Sequence, residues 1–290
     1  MRVLVLGGTG SVGAAVVAAL VRRGHDVMGL ARSDASARGL AAMGAGALPG
    51  DARAPGAWLP AVDRADAVVH AATDFGSDMA ALDRGLMDAL LPRLSANARG
   101  QALLYTGGCW LYGATGDAAA TEESPFDPPP ASAFMVPALR RVLAAAPGVR
   151  GIVVHPAMVF EGVEGVFARF AADARSLGRV RVVGDGRARW PLVHRRDLAE
   201  LYALALEKAA PGESYNAAAA EGVPVGAIAR AVARRFGADE TPVPRGVDEA
   251  AAEWGEWARG YALDQRMSGD KARRELGWRP VWREPLADLA

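Results

Sequence analysis

A run of glycines near the N-terminus is the first feature of the sequence that could do chemistry. Gly7, Gly10 and Gly13 follow the apolar residues 3–6 and precede a helical stretch at residues 14–23. A pyrophosphate can lie against backbone N–H groups at a helix N-terminus only where no side chain holds it away, and glycine supplies that clearance. Glycine-rich turns are common, but the position between a strand and an uninterrupted helix predicts a nucleotide site.

The end of the second apolar run, residues 26–30, distinguishes between two nucleotides. A protein that selects NAD normally has Asp or Glu there, about 20 residues beyond the glycine turn, to bind the ribose 2′-hydroxyl. Here the run is followed by Ala31, Arg32 and Ser33. A guanidinium can bind a phosphate through two hydrogen bonds, so NADP(H) is favoured over NAD(H). The alternative is that Arg32 is a solvated loop charge and Asp34 does the work of the acid.

The elements that must position these residues follow a regular rhythm. Short apolar runs at residues 3–6, 26–30, 45–48, 67–70, 102–105 and 152–155 are separated by helical or turn segments. Such alternation predicts an α/β fold with a Rossmann-type, doubly wound parallel sheet. The alternation fades after Phe160, which indicates a smaller C-terminal substrate lobe. We therefore expect a nucleotide-binding domain at residues 1–160, with 188–220 returning to it, and a lobe formed by 161–187 and 221–290.

The composition limits the partners. Lys and Arg together number 33, as do Asp and Glu, so no long-range field attracts nucleic acid or an anionic membrane. The single cysteine, Cys109, cannot form an internal disulfide and suits a reducing compartment. One cysteine and four histidines make a metal site improbable. Without room for a signal peptide after Met1 and Arg2, we expect a cytoplasmic protein that binds a small-molecule substrate or other copies of itself.

Further motifs follow the glycine turn in a fixed order along nearly the whole chain. They are Gly50-Asp51, His70-Ala71-Ala72, YTGGCWLYG at residues 105–113, HPAMVF at 155–160, PLVHRRDLA at 191–199 and KARRELGWRP at 271–280. Taken together, the chain resembles the extended short-chain dehydrogenases/reductases, which include the NAD(P)-dependent epimerases and dehydratases.

The resemblance implies a set of cofactor contacts. Asp51 would accept a hydrogen bond from the adenine amino group, although Asp is also common in turns. Small residues at 71–73 would run along the middle of the cofactor, and Pro156 and Met158 would lie near the nicotinamide. The predicted cofactor-binding residues are Gly7, Thr9, Gly10, Ser11, Val12, Gly13, Arg32, Ser33, Asp51, Ala52, Ala71, Ala72, Thr73, Pro156 and Met158.

The catalytic positions of that family are changed in this chain. Relatives that oxidise or reduce a carbinol carbon use a Tyr that moves the proton, with a Lys four residues later that lowers its pKa and holds the ribose. On a helix expected to begin near Ala131, Phe134 and Ala138 stand at those positions, and Gly108 replaces the family's Ser or Thr. None of these residues can exchange a proton. The segment YTGGCWLYG at residues 105–113 resembles atypical members that lack the pair.

Four other side chains are candidates for the missing chemistry. His155 stands where relatives usually have Arg and could act as a general acid, or it is a structural residue at a strand end. Tyr112 could donate through its phenol or be structural, and Thr106 could bind a ligand or cap its strand. Asp74 could serve as a base or cap the helix that includes residues 79–94. Cys109 is expected to be a buried, inert thiol.

The C-terminal part should supply the substrate site. Trp190, Trp254, Trp257 and Tyr261 could line it for a ring-containing or apolar ligand, or fill the core of the lobe. Asp197 is expected to cap a helix at residues 198–208, and His194 to tie the lobe to the sheet. In relatives, the helices that correspond to residues 79–94 and 138–146 form a dimer, so the resemblance implies a homodimer whose geometry Pro137 could alter.

Three functions fit these observations. The first is an NADP(H)-dependent oxidoreductase or epimerase of atypical mechanism that acts on a small metabolite. The second is a non-catalytic NADP(H) sensor, which the missing Tyr and Lys favour, and the third is a non-redox isomerase or cyclase. Deuterium transfer from labelled NADPH would identify the first.

Overall fold

Strands and helices alternate through the first half of the protein in the computed structural model, which describes residues 1–73, 78–97 and 99–289. The strands are β1 (Arg2–Leu6), β2 (Asp26–Ala31), β3 (Gly46–Pro49), β4 (Ala67–His70), β5 (Ala102–Thr106), β6 (Arg150–Pro156), β7 (Met158–Glu161), β8 (Glu164–Gly165), β9 (Arg179–Val183), β10 (Arg189–His194), β11 (Glu213–Ala217), β12 (Ala220–Pro224) and β13 (Asp239–Arg245). The helices are α1 (Ser11–Arg22), α2 (Asp34–Ala42), α3 (Met79–Asn97), α4 (Met135–Leu143), α5 (Ala168–Leu177), α6 (Arg195–Lys208), α7 (Val225–Arg235) and α8 (Val247–Trp254).

The central sheet has seven parallel strands in the order β11-β6-β5-β4-β1-β2-β3. The strand order reverses between β1 and β4, so the carboxyl ends of these two strands open a crevice, the usual ligand position in such sheets. The predicted doubly wound fold is confirmed.

Both faces of the sheet are covered, which explains why its strands are apolar at successive positions. Val3 and Val5 of β1 face one hydrophobic cluster with α1 and α6, whereas Leu4 and Leu6 face another with α3 and α4. This division follows from the alternation of side chains along a strand. Burial on both sides fixes the end of β1 and therefore the glycine turn.

The remaining strands form two smaller sheets. One has the order β12-β10-β7-β8, and the other pairs β13 with β9. Within the segment expected to return to the nucleotide domain, α6 packs on α1 and β11 pairs with β6, but β10 is a strand of the smaller sheet. No helix among residues 1–73, 78–97 and 99–289 is long and apolar enough to cross a membrane.

Two predicted helix starts are wrong. The first of them, α4, begins at Met135 rather than near Ala131, because a separate 3-10 turn occupies Pro130–Ser132. The second, α6, begins at Arg195, and the His194 side chain caps it by accepting from the N–H of Arg196 at 3.2 Å. Asp197 is not the cap: its carboxylate accepts the backbone N–H groups of residues 281 and 282, each at 2.9 Å.

Candidate functional site

A groove of about 830 Å³ runs along the carboxyl edge of the central sheet. It begins beside Arg32 and Asp51, passes the glycine turn and the ends of β4 and β5, and reaches Trp257 and Tyr261 of the smaller lobe. The volume of the groove suits a bulky organic ligand such as a nucleotide. Its position at the reversal of strand order is where nucleotides bind in this class of fold.

The three glycines of the first turn have different roles. A Cβ on Gly7 would lie 2.5 Å from the carbonyl oxygen of Ala71, and a Cβ on Gly13 would lie 2.0 Å from the carbonyl oxygen of Gly7. These two glycines allow backbone segments to pack, so the expectation that all three give clearance to a ligand is wrong. Gly10 alone of the three is nearly open, with only the Gly7 oxygen at 3.3 Å.

The N-terminus of α1 fits a pyrophosphate. Its N-cap residue is Gly10, and no side chain of the described residues caps it. Thr9, Ser11 and Val12 line the groove together with Gly7, Gly10 and Gly13. Uncapped N–H groups and the positive end of the helix dipole both favour an anion at this point.

The end of β2 brings a guanidinium to the groove. Arg32 and Ser36 line the wall, whereas Asp34 is the first residue of α2 and is exposed. Ser33 is the cap of α2, because its side chain accepts from the N–H of Ser36 at 3.2 Å. Arg32, not Asp34, therefore borders the groove at the end of β2, and the structure gives Ser33 a capping role instead of a place in the wall.

The turn after β3 supports both interpretations of Asp51. The Oδ1 atom accepts the N–H of Arg53 at 2.9 Å, and the carbonyl oxygen accepts the indole N–H of Trp58 at 2.8 Å. Asp51, Ala52 and Arg53 also line the groove. The residue thus shapes its own turn while it borders the end of the groove nearest Arg32.

The middle and far parts of the groove contain the other predicted contacts. Ala71, Ala72, Thr73, Pro156 and Met158 all line it. No three His, Cys, Asp or Glu side chains of the described chain are grouped as they would be around a metal ion.

The four predicted aromatic residues separate into two pairs. Trp257 and Tyr261 line the groove, whereas Trp190 and Trp254 line a cavity of about 10 Å³, which also touches Tyr261. The indole N–H of Trp190 donates to the Tyr261 carbonyl oxygen at 3.0 Å, which fixes this part of the lobe. The substrate end of the groove is therefore mainly apolar and aromatic.

At the positions of the usual Tyr, Lys and Ser or Thr, the groove has no titratable group. Phe134 and Gly108 line it, and Ala138 is buried among residues that pack on α3 and α4. Nearby, burial raises the pKa of the Cys109 thiol to about 12, so this residue is inert at neutral pH.

Of the three catalytic candidates that the structure describes, Thr106 alone is placed in the groove wall, and its hydroxyl pairs with the Tyr202 hydroxyl at 2.7 Å. His155 is 1% exposed and lies behind Gly107, where a Cβ would come within 2.4 Å of its Nδ1 atom. Burial lowers the pKa of His155 to about 4, so the ring is neutral, and the structural alternative fits while the general-acid alternative does not. Asp74 lies outside the described residues.

Tyr112 is also outside the groove wall. The phenol is buried and donates to Oδ1 of Asn216 at 2.8 Å, and burial raises its pKa. Its function is to connect the segment after β5 to β11, so the structural alternative fits and the proton-donor alternative does not.

A group of polar residues in the groove wall was not predicted from the sequence. His70, Asp83 and Tyr105 line the groove and are hydrogen-bonded to one another. His70 and Tyr105 were visible as strand ends, but nothing local marks Asp83, which lies inside α3. The only sign of its role is that Asp83 is a polar residue on the face of a helix that packs against the sheet.

The sequence profile of the NAD-dependent epimerase/dehydratase family matches residues 3–218. The chain belongs to this family. Its members are NAD(P)-dependent oxidoreductases and epimerases, which confirms the predicted class of enzyme.

Relatives and solved structures extend the comparison. The uncharacterized protein C2A9.02 of Schizosaccharomyces pombe is 30% identical over 100% of this chain and 98% of its own length. The 2-alkyl-3-oxoalkanoate reductase of Stenotrophomonas maltophilia is 31% identical over 73% of this chain and 67% of its own. A dTDP-glucose 4,6-dehydratase from Streptomyces venezuelae with bound NAD is 22% identical with a TM-score of 0.83, covering 100% of this chain and 95% of that one, and shares the fold.

Proposed function

We propose that the protein is an NADP(H)-dependent oxidoreductase that acts on a small, largely apolar carbonyl or carbinol compound without the usual Tyr-Lys pair. One observation carries the proposal: a continuous groove joins the Arg32 guanidinium, the uncapped N-terminus of α1 and an aromatic far end. When bound, the nucleotide would supply hydride transfer at C4 of the nicotinamide.

The nucleotide preference is argued from the end of β2. A 2′-phosphate beside Arg32 would accept charge-assisted hydrogen bonds, and no carboxylate of the described groove wall competes at that strand end. Asp34, the residue that could bind a 2′-hydroxyl instead, is on the exposed first turn of α2. These positions support NADP(H) over NAD(H).

The substrate class is argued from the far end of the groove. Met158, Val166, Trp257 and Tyr261 give it apolar surface, with the Tyr261 phenol as a polar group. The Stenotrophomonas relative is named as a reductase of 2-alkyl-3-oxoalkanoates, which are keto carboxylates with alkyl groups. The alkyl part and the ketone of such a compound fit a site lined in this way.

The nucleotide preference is tested with Arg32→Ala. Loss of a charge-assisted contact should weaken NADPH binding at least about tenfold and leave NADH binding unchanged, as measured by calorimetry. Arg38→Ala is the matched control, because Arg38 is exposed on α2 and is not part of the groove wall. Equal weakening of NADH and NADPH, or none, would contradict the preference.

The reaction class is tested with NADPH that carries deuterium at C4. Purified protein incubated with a panel of apolar ketones should give a deuterated alcohol, detected by mass spectrometry. Product without deuterium would show a different chemistry, and absence of product across the panel would argue against redox turnover.

We propose in addition a cytoplasmic homodimer. Helices α3 and α4 pack on one another and correspond to the dimer helices of related proteins, which supports the dimer. The lone thiol of Cys109 is buried, which supports a reducing compartment. Sedimentation velocity at micromolar concentration should give the mass of two chains, and a monomer would refute it.

A further inference from the structure

Three buried polar side chains from three elements meet in the groove wall. His70 ends β4, Tyr105 lies in β5 and Asp83 lies in α3, and they are 4%, 1% and 8% exposed. The Oδ1 atom of Asp83 is 3.1 Å from His70 Nε2 and 2.9 Å from the Tyr105 hydroxyl. Buried polar groups need hydrogen-bond partners, and the three side chains supply them to one another. Because the cluster also lies in the groove wall, it is in a position to contact a ligand.

The direction of the hydrogen bonds identifies what the cluster does. His70 Nδ1 accepts the N–H of Ala72 at 3.3 Å, so a neutral ring has its proton on Nε2 and donates it to Asp83. Tyr105 donates its O–H to the same carboxylate oxygen. Both donors are therefore used to hold Asp83, and neither is left to give a proton to a substrate.

The second carboxylate oxygen of Asp83, Oδ2, accepts neither of these two hydrogen bonds. Among residues 1–73, 78–97 and 99–289, Asp83 Oδ2 has no hydrogen-bond partner. The side chain keeps 11% exposure and belongs to the groove wall. A largely buried carboxylate is stabilised when each oxygen accepts a hydrogen bond, so this oxygen is suited to hydroxyl groups of a ligand.

Strand order indicates which hydroxyl groups these are. β2 and β3 lie on one side of β1, and β4 and β5 lie on the other. With the adenosine beside Arg32 and the pyrophosphate at α1, the second ribose of a dinucleotide comes over the ends of β4 and β5. Phe134 and Ala138 offer no polar group to that sugar, and Asp83 is the carboxylate that the described wall has beside the ends of β4 and β5.

We propose that the Asp83 carboxylate accepts hydrogen bonds from the hydroxyl groups of the ribose next to the nicotinamide, with His70 and Tyr105 as the residues that position it. The assignment rests on the proposed binding of NADP(H). It gives this chain a ribose contact on α3 in place of one on α4.

Three ligands of increasing length test the assignment by calorimetry. The first, 2′,5′-ADP, lacks the second ribose; 2′-phospho-ADP-ribose has it without the nicotinamide; NADP⁺ has both. Asp83→Ala should raise the dissociation constant of the two longer ligands at least about tenfold and that of 2′,5′-ADP by less than about twofold. Asp88→Ala is the matched control, since Asp88 is on the same helix in an exposed pair with Arg141 and should change none of the three.

Two further variants separate positioning from folding. Tyr105→Phe should give a smaller loss, about threefold, that is again confined to the ligands with the second ribose, because Asp83 keeps one of its two donors. If Asp83→Ala does not fold, Asp83→Asn keeps the shape and an oxygen for His70 and Tyr105 but turns an N–H donor towards the ribose in place of an acceptor. A smaller loss, again confined to the two longer ligands, is then expected, with a melting temperature near that of the wild type.

Three results would overturn the assignment. Equal weakening of all three ligands would show a structural role, and no weakening would show no contact. Weakening of NADP⁺ alone would place Asp83 at the nicotinamide ring instead of the ribose. If the wild-type protein bound none of the ligands, the proposed function would fail as well, whereas wild-type binding with an unselective variant would overturn only the role of Asp83.

Discussion

The burial of His155 predicts a loss of stability between neutral and mildly acidic pH. The ring is 1% exposed, packs beside Tyr112 and Phe126 and has no partner for Nδ1 within the described residues. Burial lowers its pKa from 6.5 to about 4. Because the folded form resists protonation and the unfolded chain does not, the stabilisation is present above pH 6.5 and is lost as the pH falls towards 4.

The magnitude follows from the two pKa values. At pH 7 the unfolded histidine is mostly neutral, so the penalty is small, but at pH 5 it is mostly protonated while the folded one is not. The free energy of unfolding should fall by about 2 kcal/mol between these two pH values on account of this residue alone. His155→Leu removes the titration and should keep the volume of the site nearly filled.

Urea unfolding at pH 7 and pH 5 gives the change in the free energy of unfolding between the two pH values. The effect of His155 is the amount by which this change in the wild type exceeds the change in His155→Leu. Acidic residues titrate in both proteins and cancel in this comparison. A variant that loses as much stability as the wild type between the two pH values would refute the argument that His155 is neutral and sealed from solvent.

Two further predictions concern the glycine turn and Tyr112. Gly13→Ala should destabilise the protein by about 3 kcal/mol in urea unfolding, since its methyl group would meet the Gly7 carbonyl oxygen at 2.0 Å. Gly10→Ala, whose methyl group would meet only one atom, at 3.3 Å, should keep the stability but weaken NADPH binding. Equal effects of the two substitutions on stability would contradict the different roles of the two glycines. Tyr112→Phe should cost about 1–2 kcal/mol by leaving the Asn216 oxygen without its donor, with NADPH affinity unchanged in calorimetry, and a large change in affinity would argue for a place in the site after all.

The fold and the cofactor groove could be predicted because their signals are local. An apolar strand, a glycine turn and a helix follow one another within the first 22 residues, and strands continue to alternate with helices or helical turns as far as β6. Arg32 and Asp51 could be placed for the same reason, since they lie one and two residues beyond the ends of β2 and β3.

The remaining features depend on residues far apart in the sequence. His155 is buried because Gly107, directly after the neighbouring strand β5, has no side chain, which the sequence around His155 does not reveal. Asp197 looks like a cap, but donors more than eighty residues away at Val281 and Trp282 are its partners. Asp83 joins His70 and Tyr105 only when α3 packs on the sheet.

The partners of Asp197 and His194 give the end of the chain a mechanical connection to the groove. Trp282 stacks on His194 with 4.0 Å between ring centres, and the Trp278 indole N–H donates to the Asp197 carbonyl oxygen. His194 ends β10, which pairs with β7 and so reaches Met158 at the groove wall. Packed and hydrogen-bonded groups thus connect the last dozen residues to the far end of the ligand site. A substitution at Trp282 should therefore change ligand affinity, although this residue does not line the groove.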